Sequence, residues 1–302
     1  MWLVAFLAIP LLTAAAAFAQ PAPVEVHHIH GLAFDPRDPT SLLVATHTGL
    51  ARIRPGTNPD WIGGIRFDLM GFTAPPAELG ALYASGHPDL ATYRREGHGN
   101  LGLLASRDGG RAWEAVALKS QADFHALTYS PDGGGELFGW SVSRQTGLYR
   151  ISTRTWAAER LAAQGLTDVL ALAASHDLPS RQLAGTPGGL LLSQDRGGTW
   201  LPVAGLPRDV PVTAVAYSAT EKRRVYAYVA RAGYGLMRSD DAGSTWRPTG
   251  VPAAPTEPVI AIAPGPGTKV AVATTAASVS VSDDGGRSWR LVLDKGRGTT
   301  TR

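Results

Sequence analysis

The sequence contains no cysteine. That excludes disulfides, thiolate metal ligands, a cysteine nucleophile and a cysteine-linked lipid anchor together. Charge is sparse: 18% of residues are charged and the net formal charge is +3. No basic stripe interleaves with aromatics, so nucleic acid is not an expected partner. Long hydrophobic runs are missing after the first turn of sequence. Trp2 to Ala19 is the exception, an uncharged stretch ending in Ala17-Phe18-Ala19 before Gln20. We read residues 1–19 as a signal peptide with an A-x-A cleavage site. An uncleaved anchor helix is the alternative, since the run is near the lower spanning limit. The expected protein is exported, periplasmic or extracellular, with one domain over 20–302 and no membrane span after cleavage.

What the chain has in abundance is repetition. The octet Ser193-Gln-Asp-Arg-Gly-Gly-Thr-Trp200 returns at 239–246 and 282–289, and in near-identical form at 106–113. The last three copies are spaced by 46 and 43 residues, and the first gap of 87 leaves room for a degenerate copy that ends at Trp156. Another weak copy precedes Trp61. A second column repeats with it: His30-Gly-Leu-Ala, Met70-Gly-Phe-Thr, His125-Ala-Leu-Thr, Leu170-Ala-Leu-Ala, Thr213-Ala-Val-Ala and Ile260-Ala-Ile-Ala. Each is followed by a turn, two more apolar runs, the octet and a last short run. Four short strands per period make one antiparallel blade. Six periods predict an all-β, six-bladed propeller over residues 24–294.

The octet falls in the hairpin between the third and fourth strands. Its aspartates (Asp108, Asp195, Asp241, Asp284) can accept bonds from backbone N–H groups of the turn. Its tryptophans (Trp113, Trp200, Trp246, Trp289) supply a large ring to bury between blades. These are structural roles. Calcium is not expected there, because one carboxylate per turn is far below six to eight oxygens.

The pattern S-x-D-x-G-x-[ST]-W resembles the Asp-box, or BNR repeat, of sialidase-like propellers. His27-His28-Ile-His30-Gly-Leu-Ala-Phe-Asp-Pro, Leu42-Leu-Val-Ala-Thr-His47 and Ala122-Asp-Phe-His125 are similar to a group of exported bacterial Asp-box proteins often labelled glycosyl hydrolases. The resemblance implies a propeller fold. It leaves activity open, because Asp-box propellers include sialidases, other glycosidases, sorting receptors and assembly factors. The Arg-Ile-Pro signature of sialidases is not reproduced; Arg52-Ile-Arg-Pro55 carries an extra arginine.

Antiparallel counting sorts the candidate residues by face. The start of each innermost strand and the end of each second strand share one face, and the octet turns lie on the other. His30, Met70 and His125 then come from three consecutive blades to the channel mouth. His47 and His87 end second strands on the same face, and His28 enters there. Imidazoles with one thioether suit copper first and zinc second. Asp123 and Asp89 are placed to orient the histidines. The expected function is a binding protein for a metal ion or small ligand at the channel mouth, with no further cofactor. The alternatives are a glycoside hydrolase, for which Asp123, Asp168 and Glu257 are the weak carboxylate candidates, and a scaffold that docks an exported protein. An insertion at 88–100 on the same face is read equally as a lid and as a solvated loop.

Overall fold

In this computed structural model, residues 24–64, 66–250 and 257–299 are described. The expected signal peptide and residues 251–256 lie outside them. Six antiparallel sheets follow one another along the chain, five with four strands and the last with five. Their innermost strands are Ile29–Asp35, Asp68–Thr73, Phe124–Ser130, Ala171–Ala174, Val212–Tyr217 and Val259–Pro264. The molecule is a six-bladed propeller. The last blade runs four residues past the expected limit, because Arg290–Asp294 turns back into a short strand Arg297–Gly298.

Second strands read as unbroken apolar runs because both of their faces are buried. In Asp38–Thr46, Leu42 and Val44 join a core shared with the sixth blade, while Leu43 and Ala45 join one shared with the second. The two-residue period of a strand thus sends alternate side chains to opposite neighbours. Six such clusters occupy the six blade junctions. The ring closes through one of them, reinforced where Val26 donates its N–H to the Gly296 carbonyl at 2.9 Å and Arg297 Nη2 pairs with Glu25 at 2.5 Å.

The octet turns close by a shared set of bonds. Ser193 Oγ donates to Asp195 Oδ1 at 2.8 Å and accepts from the Gly197 N–H at 2.8 Å. Asp195 also accepts from the Thr199 N–H at 2.9 Å, and Trp200 Nε1 donates to the Gly197 carbonyl at 3.1 Å. Asp108, Asp241 and Asp284 hold their turns through the same serine and backbone partners. Trp200 is buried between blades three and four, and Trp113, Trp246 and Trp289 pack half-buried at the junctions of their own blades with the preceding ones.

Candidate metal centre at the channel mouth

A bulge opens the innermost strand at the same place in five blades. Ile29 pairs with Thr46 and Gly31 with Ala45, which leaves His30 between them unpaired. Met70, His125, Thr213 and Ile260 occupy the corresponding unpaired positions. A bulge inserts one residue and re-aims its side chain. In three blades the residue at this place, His30, His125 or Ile260, lines one end of a central channel of about 400 Å³, and Leu170 joins them from the blade without a bulge. His176 lines the opposite end, where burial lowers its pKa.

The histidines are organised by two carboxylates. His47 Nδ1 lies 3.0 Å from Asp68 Oδ1, and His30 Nε2 lies 3.7 Å from the same oxygen. His87 Nδ1 is 3.1 Å from Asp68 Oδ2, and its Nε2 is 3.2 Å from Asp123 Oδ2. His125 Nε2 reaches that Asp123 oxygen at 3.1 Å. The rings of His30 and His28 both stand edge-on to His47, at 4.4 and 5.0 Å between centroids. Five of the six expected metal-site residues, His28, His30, His47, His87 and His125, therefore belong to one connected group around Asp68 and Asp123. Met70 sits half-buried at the bulge of blade two, two residues beyond Asp68.

Within the group, His30, His47 and Asp68 come closest to a ligand set: each offers one ligand atom, and the three atoms lie within 4.8 Å of one another. Of these residues, His30 buries its Nε2 without a hydrogen bond, and Asp68 buries Oδ1 with His47 Nδ1 beside it at 3.0 Å. A tetrahedral zinc with bonds of 2.0–2.1 Å separates its donors by about 3.4 Å, so this spacing needs little closing.

The electrostatics differ sharply from ring to ring. Burial depresses His30 to about 4, against the pull of the Asp68 charge, so the ring is neutral at neutral pH and one of its nitrogens offers a lone pair. His87 is raised to about 10 by its hydrogen bonds to Asp123 and Asp68, which outweigh its desolvation. Both carboxylates are desolvated, which alone would raise them. Hydrogen bonds from His125 and His87 nevertheless hold Asp123 well below the usual carboxylate range, and those from His87 and His47 lower Asp68.

Two sequence expectations change here. Asp89 does not orient a histidine; it caps the helix α1 (Leu90–Glu96), accepting from the Thr92 N–H at 2.8 Å. The insertion at 88–100 is this helix with its anchors rather than a loose loop. Gly97 closes its end in a left-handed conformation, and Glu96 pairs with Lys119 at 2.9 Å and His98 at 3.3 Å. Asp68 was not foreseen. Its signal was available in the column two residues ahead of each innermost motif, which reads His28, Asp68, Asp123, Asp168, Pro211, Pro258. Of the other carboxylate candidates, Asp168 is exposed and Glu257 half-buried, and neither pairs with a described histidine or arginine.

No protein-family model matches the chain, and a search of curated proteins finds no match either. Solved structures do match. A GH74 xyloglucanase from Xanthomonas campestris superposes with a TM-score of 0.55 at 20% identity, covering 90% of this chain and 46% of that one. The extracellular domain of a one-component system of B. thetaiotaomicron gives 0.53 at 13% identity, covering 90% and 34%. YCF48 bound to D1 peptide gives 0.50 at 17% identity, covering 94% and 88%. The chain spans less than half the length of the first two proteins. At these identities the similarity establishes the propeller fold.

Proposed function

We propose that this protein binds a transition-metal ion at the channel mouth through His30 Nε2, His47 Nδ1 and Asp68 Oδ1, and that it works outside the cytoplasm. One observation carries the reading. His30 Nε2, buried without a hydrogen bond, faces Asp68 Oδ1 at 3.7 Å, and His47 Nδ1 stands 3.0 Å from that same oxygen. An unpartnered buried polar atom is costly, so its place beside two further ligand atoms points to a bound ion. Two imidazoles and a carboxylate favour Zn(II) or Cu(II) over Cu(I), which prefers sulfur. The preference for copper that rested on Met70 thus gives way to a borderline divalent ion. Competition titrations of the purified protein with Zn(II), Cu(II) and Cu(I) test this. One tight site, weakened at least about 100-fold by His30→Ala and by Asp68→Ala, is expected. Equal affinity in both variants would refute it.

Peptide or protein docking on the same face is a second reading. It is supported by Leu90, Tyr93, Val142 and Leu170, large hydrophobic side chains exposed by 61, 48, 43 and 44%. A photo-crosslinking residue at Tyr93, introduced in the producing cell, should capture a discrete partner under this reading and nothing reproducible without it. Glycoside hydrolysis has the xyloglucanase similarity behind it, but Asp123, its best-placed carboxylate, is engaged by two histidines. Release of reducing sugar from xyloglucan that Asp123→Asn abolishes would revive it.

A further inference from the structure

Asp68 and Asp123 stand on adjacent blades, and each uses one oxygen, Oδ2, on His87. Both of their other oxygens are buried; Asp123 Oδ1 makes no hydrogen bond, and Asp68 Oδ1 has His47 Nδ1 beside it at 3.0 Å. His87 is the single group that touches both. It ends the second strand of blade two, directly opposite Asp68 in the strand register. Gly86 beside it has φ +153°, and a Cβ there would stand 1.8 Å from the Asp68 carbonyl oxygen. The backbone of residues 86 and 87 is therefore pressed against that of Asp68. This close approach sets the imidazole between the carboxylates.

An imidazole with a carboxylate on each ring nitrogen is held from both sides, Nδ1 on Asp68 at 3.1 Å and Nε2 on Asp123 at 3.2 Å. It can neither turn nor leave without releasing both acids. The bond from Nδ1 orients Asp68 so that Oδ1 points at His30 and His47. The bond from Nε2 ties that orientation to Asp123, which is itself anchored through its N–H to Ser141 Oγ at 3.1 Å and holds His125. Asp123 is not one of the His30–His47–Asp68 set, and it reaches that set through His87.

We propose that His87 is the positioning residue of the metal centre, and that through it Asp123 on blade three governs the affinity of a site built from blades one and two. The inference rests on the metal reading above and adds a route of coupling. Outer partners of metal ligands commonly change affinity by about 10–100-fold. Groups acting through one intermediary give non-additive effects. A leading role for Asp123 of its own would instead give additive ones.

The experiment is a double-mutant cycle on Zn(II) affinity, using competition with a chromophoric chelator, across the full-length protein, Asp123→Asn, His87→Ala and the double variant. Asp123→Asn should weaken Zn(II) binding about tenfold or more, and the same change should do nothing further once His87 is alanine. His87→Gln, which keeps one donor, should recover part of the loss. Co(II) spectra of the variants report the carboxylate's orientation, which a change in fold stability alone would not shift. Additive losses, or an Asp123→Asn affinity equal to wild type, would overturn the proposal while leaving the metal site standing. Absence of any Zn(II) binding by wild type would remove the metal reading itself. A metal-free arm keeps the positioning role testable in that event: 1H–13C spectra of the His30 and His47 rings should shift alike in His87→Ala and Asp123→Asn, with no further shift in the double variant. Rings left unmoved by Asp123→Asn would overturn it.

Discussion

Replacing His30 with leucine separates a structural histidine from a ligand-binding one. In the metal-free protein, the His30 Nε2 atom is buried without a partner. Leaving such a group unsatisfied costs about 1–3 kcal/mol, and replacing it by an apolar side chain of similar size removes that cost. Its backbone position at a bulge makes no ladder bond that the side chain supports. His30→Leu should therefore raise the stability of the chelator-treated protein by about 1–2 kcal/mol, a Tm gain of roughly 2–8 °C for a domain of this size. Metal reverses the order. A ligand present at about 100 times its Kd stabilises the native state by about 2.7 kcal/mol. Wild type should gain that with Zn(II), and His30→Leu should gain almost none. Thermal melts with EDTA and with Zn(II) measure all four values. A variant less stable than wild type in EDTA would show that His30 is a satisfied structural residue. Equal Zn(II) gains in both proteins would place the metal elsewhere.

Three further outcomes follow from the packing. The Thr199 N–H and hydroxyl hydrogen bonds hold Asp195 down to about 2; a carboxylate lowered on folding adds stability that is complete above its unfolded value of about 3.9 and is lost as pH falls through the folded one. The Tm gap between wild type and Asp195→Ala should accordingly be full at pH 6 and shrink between about pH 4 and pH 2. Trp200 is 3% exposed and its indole N–H is bonded, so Trp200→Ala should cost about 3–5 kcal/mol in urea unfolding, more than the same change at half-buried Trp113. Gly86→Ala combines a φ of +153° with the clash against Asp68; it should cost at least about 1–3 kcal/mol and weaken Zn(II) binding, whereas Gly205→Ala, with open space around its Cβ, should leave Zn(II) binding unchanged.

The propeller was legible because its evidence is redundant. Octets and innermost motifs recur as two independent columns, and losing the aspartate near Trp156 did not hide its blade. Face assignment was legible too, since strand parity alone sends His30, His47, His87 and His125 to one mouth. Asp68 escaped because Met70, two residues on, stands out as the candidate of that segment, and the residues flanking Asp68, Phe67 and Leu69, are apolar. Asp123 stood out by lying just before an innermost strand and two residues ahead of His125. The bulge that turns His30 and His125 toward the mouth has no residue signature of its own; it arises from register against the second strand. Asp89 misled for the opposite reason. It lies beside His87 in sequence, but the N–H groups of a helix start compete for its carboxylate and win.

Each blade junction owns its hydrophobic cluster, and the junction between the last blade and the first is built like the other five. Chain order around the ring then carries little of the stability. The segment at Val26 already lies against Gly296, so a short linker could join the two and the chain could be cut open at another surface hairpin instead. Such a rearranged protein would keep the same six interfaces. Its order of assembly would change while its destination would not, and a cut between blades three and four would leave blades one to three, which carry the histidine group, contiguous with blade six.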